Sequence, residues 1–254
     1  MPGWNRPAWN RDAPAPIPPL PEPPLALILL FDIDGTLLRG HGVGRRALEA
    51  ALLSIYGQTF DTRSVPFSGK TDAQIFRELL AAAPDHGLDA EPSDDQRDAL
   101  RSAYLDEMGR RLPVDPVEEL PGAAALVRQL DGGEHTLGLL TGNLEPLAYG
   151  KVARIGLERT LFPFGAFGSD AEDRNALPAI AADRAAAHLG RDVAHDELVI
   201  IGDTPRDIAC ARAVGARVVA VATGYYDADE LDDADVVLES LEAFESEALR
   251  ALAA

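Results

Sequence analysis

Apolar and polar positions along this chain follow two different periods. Leu27 to Phe31 are five consecutive apolar residues without the alternation of a half-wet strand, which predicts a strand covered on both faces, as in a parallel α/β sheet. The run stops abruptly at Asp32, and Asp34 and Gly35 follow at what would be its carboxyl end. Four more short runs, Thr136 to Leu140, Leu198 to Ile201, Val218 to Val221 and Val236 to Leu238, predict further strands. The segments between them are long enough for right-handed crossovers.

The second period is helical, and it dominates residues 40 to 118. Ala47, Leu48, Ala51, Leu52 and Ile55 share one face of a helix that Gly57 closes. Ile75, Phe76, Leu79 and Leu80 mark a second helix over about 71–83, and Leu100, Tyr104, Leu105 and Met108 a third over about 93–112, opened by the capping-box-like string Ser93-Asp94-Asp95-Gln96. From Leu120 the chain returns to α/β alternation, with Pro121-Gly122 opening a helix that Gly132-Gly133 ends. The fold class read from this pattern is α/β: a Rossmann-like parallel sheet built from 25–39 and 119–254, interrupted by an all-helical insertion at 40–118. Residues 1–24, with nine prolines, Trp4 and Trp9, have no periodicity and are expected to form a proline-rich tail.

Composition narrows the partners. A formal charge of −19 excludes non-specific nucleic-acid and anionic-membrane binding, which need clustered Lys and Arg, and no stretch reaches the ~18 apolar residues of a membrane span. A single cysteine, Cys210, allows no intrachain disulfide; with no signal-peptide pattern at the start, the expected location is cytoplasmic. Cys210 itself reads as a small core residue on a helix. The five histidines form no metal-ligand spacing, and the chain has no Gly-x-Ser-x-Gly nucleophile turn.

Three predicted strands end in polar groups. The first ends in Asp32-Ile33-Asp34-Gly35, two carboxylates that extended backbone can point to one side, where a hard divalent cation would compensate their repulsion. The second ends in Thr141-Gly142-Asn143, a hydroxyl and free N–H groups leading into a helix, which suit an anion or simply an N-cap. The third ends in Gly202-Asp203-Thr204-Pro205-Arg206-Asp207, whose spacing of four sets Asp207 one helical turn beyond Asp203, so that both can address one cation.

Together, Phe31-Asp32-Ile33-Asp34-Gly35-Thr36-Leu37-Leu38, Thr141-Gly142-Asn143 and Gly-Asp-x-x-x-Asp resemble motifs I, II and IV of the haloacid dehalogenase-like (HAD) hydrolase superfamily, and the helical insertion resembles its C1-type cap. The resemblance implies a Mg2+-dependent phosphatase of a small phosphorylated metabolite, similar to phosphoglycolate phosphatases. It implies Asp32 as nucleophile on phosphorus and Asp34 as general acid/base. It also implies Thr141, Gly142 and Asn143 around the phosphoryl group, with Asp32, the Asp34 carbonyl and Asp203 on the metal and Asp207 acting through a water. Motif III, normally a Lys or Arg in a Lys-Pro-like setting, departs from the pattern: Arg174 is the favoured candidate and Lys151, ten residues after Thr141, the rival. In the insertion, Gly69-Lys70-Thr71 is not a P-loop because Ser64 stands where the first glycine belongs, and Lys70 is a candidate contact to the substrate's distal end. A β-phosphoglucomutase-like mutase shares every core residue, and a non-catalytic binding module on the same fold is the reading from another class. A dehalogenase has no need of Asp34, Asp203 and Asp207. The oligomeric state is not legible.

Overall fold

The structure, a computed structural model, describes residues 26–82 and 91–252; the proline-rich stretch and Ala83, where the second helix was expected to end, lie outside them. The elements are β1 (Ile28–Phe31), β2 (Leu38–Arg39), α1 (Val43–Tyr56), α2 (Asp72–Ala81), α3 (Asp94–Arg111), β3 (Glu118–Glu119), α4 (Ala123–Leu130), β4 (Thr136–Thr141), α5 (Glu145–Ala153), β5 (Gly165–Phe167), α6 (Leu177–Leu189), β6 (Leu198–Gly202), α7 (Pro205–Val214), β7 (Arg217–Val221), β8 (Val236–Leu238) and α8 (Leu249–Leu252).

Six strands form one parallel sheet in the order β5-β4-β1-β6-β7-β8. Because β1 is central, its residues are buried on both faces: Leu29, Phe31 and Ile33 join one core with α4 and Val152 of α5, and Ile28 and Leu30 join another with α6 and α7. This accounts for the unbroken apolar run. The chain leaves β1 for β4 on one side and returns to β6 on the other, and ligands of open α/β sheets sit at such a switch point. In register, Phe31 lies beside Leu139 of β4 and Ile201 of β6, so the three polar strand ends converge.

Helices α1, α2 and α3 share a core of their own, with Leu52, Phe76, Leu100 and Met108 fully or almost fully buried. α1 ends at Gly57 in the left-handed conformation (φ 68°), and α3 starts with the Ser93/Gln96 capping box. The insertion hangs on a two-stranded antiparallel ribbon, β2 with β3, that the apolar pattern does not announce. No helix among the described residues is long and apolar enough to cross a membrane.

Candidate active site

Asp32 follows β1 directly, and its N–H donates to the Ile201 carbonyl at 2.8 Å, which carries the sheet pairing one residue past the strand. Its side chain is buried, and burial pushes the carboxyl up to about 6 despite the Arg174 guanidinium; Asp207 adds to the rise. Asp203 and Asp207 close the group from β6 and α7, and carboxylate oxygens of Asp32, Asp203 and Asp207 all lie within 4.8 Å of one another.

The two later acids are held differently. Asp207 is fully buried: one oxygen accepts from the Thr204 N–H (3.0 Å) and hydroxyl (2.7 Å), the other from Arg174 (2.5 Å). Among the described residues Asp203 accepts only from the Thr36 hydroxyl, at 3.3 Å, and burial raises its carboxyl well above the usual range, with Asp207 and Asp32 adding to it. Backbone crowds Asp203 on both sides: a Cβ on Gly35 or Gly224 would come within 2.2 Å or 1.7 Å of its Oδ2. Arg174 thus pairs with two of the three buried carboxylates, and Asp203 has no ion-pair partner among the described residues. That excess of buried negative charge, on oxygen donors alone, fits a hard divalent cation, with Asp203 the least engaged ligand.

Both candidates for the missing cation lie in the site. Arg174, in a 3-10 turn just before α6, is buried and reaches Asp32 at 3.2 Å as well as Asp207. Burial works against its charge, but Asp207 and Asp32 outweigh that and hold it protonated. Its flanking acids, Asp173 and Glu172, do not hold it at the surface; Glu172 instead pairs with Arg77. Lys151 is equally buried on α5 and is not a solvated helix-face residue; its Nζ donates to Asp34 Oδ2 and to Asn143 Oδ1, each at 2.6 Å. An ammonium has only donors, so Asn143 must turn its oxygen to Lys151 and its Nδ2 to Asp34 and Thr141, each at 2.8 Å. Arg174 thus serves Asp32 and Asp207, and Lys151 serves Asp34.

The insertion docks on this surface through the loop before α2. The Asp72 N–H donates to the Gly142 carbonyl (2.7 Å), the Asp72 carboxylate accepts from the Leu144 N–H (2.9 Å), and the Thr71 hydroxyl donates to the Glu172 carbonyl (2.6 Å). Asp72 is buried, which pushes its carboxyl up to about 6 although Lys151 pulls it down. Lys70 borders the same space, but its ammonium pairs with Glu78 inside the insertion. Cys210 lies in the α6/α7 core, where burial pushes its thiol up to about 12.

Between insertion and sheet lies a cavity of about 700 Å3, reaching from Asp32 and Asp34 to Val43, Arg45, Ile75 and Tyr104. Arg45, Tyr104 and Asp72 were not singled out from the sequence as functional residues. Each sits in a helix or helix start with ordinary amphipathic surroundings, so no local signal marks it.

A parallel sheet that brings two acidic strand ends and the Thr141-Gly142-Asn143 turn together beneath a helical insertion is the arrangement of a hydrolase of the Asp-x-Asp type. The chain belongs to the haloacid dehalogenase-like hydrolase family, whose model matches residues 29–212. Its fold is similar to that of a predicted phosphoglycolate phosphatase from Haemophilus somnus 129pt (TM-score 0.68, 17% identity, covering 87% of this chain and 97% of that one). It is also similar to CbbY from Rhodobacter sphaeroides in complex with phosphate (TM-score 0.66, 20% identity, 86% and 96%) and to a hydrolase from Pseudomonas syringae (TM-score 0.63, 21% identity, 87% and 97%). No curated protein compared with the chain matches it.

Proposed function

We propose that this chain is a Mg2+-dependent phosphatase that hydrolyses a small phosphomonoester through an aspartyl-phosphate on Asp32, with residues 40–118 serving as the cap over the site. The observation that carries the reading is the pair of separately neutralised acids: the buried Asp32 against Arg174, and Asp34, open to the cavity, against the buried Lys151 and Asn143. A nucleophile and an acid/base two residues apart are useful only if each is held in its own role, and two separate cations provide that.

Asp32 attacks phosphorus and the ester oxygen departs with a proton from Asp34. Asp34 then takes a proton from the water that cleaves the acyl phosphate, releasing inorganic phosphate and regenerating Asp32. Thr141, the N–H groups of Gly142 and Asn143, and Arg174 surround the oxygens of the phosphoryl group, and this electrostatic enclosure is most of what phosphoryl transfer demands. Asp32, the Asp34 carbonyl, Asp203 and, through a water, Asp207 would hold Mg2+, which supplies charge neutralisation at the transferring group when bound. The phosphate-bound CbbY relative, and the relative described as a predicted phosphoglycolate phosphatase, support this substrate chemistry.

The test is phosphate release from a panel of phosphomonoesters with Mg2+ or with a chelator, alongside Asp32→Asn. Metal-dependent release that Asp32→Asn abolishes is the expected result. Release indifferent to Asp32 would refute the reading, and phosphoryl transfer within a sugar phosphate without release would make the chain a mutase.

A further inference from the structure

The cavity continues well beyond the phosphate. At roughly 30 Å3 per solvent-sized heavy atom, a two-carbon phosphoacid of about nine heavy atoms fills less than half of about 700 Å3. Its cap end has a particular chemistry. Val43 and Ile75 offer apolar wall, and the same end of the cavity holds two polar groups, Arg45 and Tyr104. Arg45, on α1, stacks its guanidinium 3.9 Å over the Phe67 ring and donates through Nη1 to the Thr62 carbonyl. Among the described residues no carboxylate lies within 4.0 Å of it, although its neighbour Arg46 pairs with Asp115 at 2.7 Å. Arg39, on the ribbon, likewise has among the described residues only the Thr223 carbonyl, at 2.7 Å.

Tyr104, on α3, is 3% exposed, and its hydroxyl has no hydrogen-bond partner among the described residues while bordering the cavity. Burial, reinforced by the Asp72 and Asp34 carboxylates, raises its phenol well above the usual value, so it stays a donor. Gly44 leaves room for it: a Cβ there would come to 3.2 Å from the hydroxyl oxygen. A hydroxyl that faces the cavity without a protein partner is free to donate to a ligand there.

We propose that the leaving group of the substrate has more than two carbons and ends in a second anionic group, carboxylate or phosphate, which Arg45 and Tyr104 bind. This rests on the phosphatase reading above. It moves recognition of the distal end from Lys70, whose ammonium Glu78 already neutralises, to Arg45. The planar fork of Arg45 suits either anion, and Phe67 holds it preorganised.

The experiment is steady-state kinetics of the full chain with Mg2+ on matched esters with and without the second anion: phosphogluconate against glucose phosphate for the carboxylate arm, fructose bisphosphate against fructose monophosphate for the phosphate arm. The expected result is a preference in kcat/KM for the member with the second anionic group in at least one pair, lying mainly in KM. Arg45→Met should cut that preference by roughly 10- to 100-fold, the equivalent of a charged hydrogen bond, with Arg45→Lys restoring part of it and Tyr104→Phe, which removes one oxygen, cutting it less. Equal turnover within both pairs, or a preference that Arg45→Met and Tyr104→Phe leave intact, would overturn the inference while leaving the phosphatase standing. No metal-dependent release from any ester would overturn both.

Discussion

Lys151 decides what Asp34 can do. The Asp34 side chain is 45% exposed at the cavity, and what fixes it is the buried ammonium behind it together with the Asn143 amide that the same ammonium orients. Replacing Lys151 with Met frees both side chains to rotate. If Asp34 delivers the proton to the leaving oxygen, the single-turnover phosphorylation rate should fall on the order of 10²-fold for an alkyl phosphate and far less for p-nitrophenyl phosphate, whose phenolate leaves unaided. Equal losses for the two esters would show that Lys151 acts on folding or phosphate binding instead. At this scale the sequence was most informative about the acids. They sit beside one another in the chain, and Asp-x-Asp or Asp-x-x-x-Asp carries its geometry with it. The cations come from elsewhere: Lys151 meets Asp34 across 117 residues and Arg174 meets Asp207 across 33, distances that no local spacing encodes. Both were visible as candidates, but that each serves a different acid became legible only in three dimensions.

Between elements, the site is closed by loops that touch through backbone. The Lys70 carbonyl lies over Gly142, where a Cβ would come within 2.1 Å of it, and a Cβ on Gly168 would come within 2.0 Å of the Gly142 carbonyl. This layering of the α2 entry loop, the β4–α5 turn and the turn after β5 leaves no room for side chains at the two glycines. Gly142→Ala should therefore push the cap loop off the turn that carries Thr141 and Asn143. We expect a loss of about 10²-fold in kcat/KM, as a displacement of about 1 Å at reacting groups produces, with the sheet core retained by circular dichroism. Wild-type kinetics in that variant would mean that the docked arrangement is not the one that reacts. The longer elements could be read from their periods, because β1, β4, β6 and β7 are apolar wherever helices cover the sheet, and α1 to α3 repeat apolar positions at helical spacing. Of the short strands only β8 could, as the run Val236 to Leu238. β5 is three residues beginning with glycine, and β2 and β3 are two residues each, one of them Glu118-Glu119 with both side chains exposed. Such pieces are set by pairing with distant strands, and they contain too few residues to show a period.

For the molecule as a whole, the acidic balance and the chemistry must be reconciled. A chain of −19 repels the anion we propose it binds, and its answer is local: Arg174 and Lys151 at the strand ends, Arg39 and Arg45 around the cavity, and an acidic trio whose excess charge calls for a divalent cation. The insertion between β2 and β3 makes this possible, since it roofs the switch point of the sheet with a second small core without interrupting the parallel order below it. All of this converges on one bond, between Asp32 and phosphorus. The direct measurement is rapid acid quench during turnover of the best ester with Mg2+, followed by mass spectrometry of the peptide that contains Asp32. The account predicts a transient phosphoryl group on Asp32, lost with time in wild type and never formed in Asp32→Asn. Turnover with no label at Asp32, or a label on another residue, would contradict it.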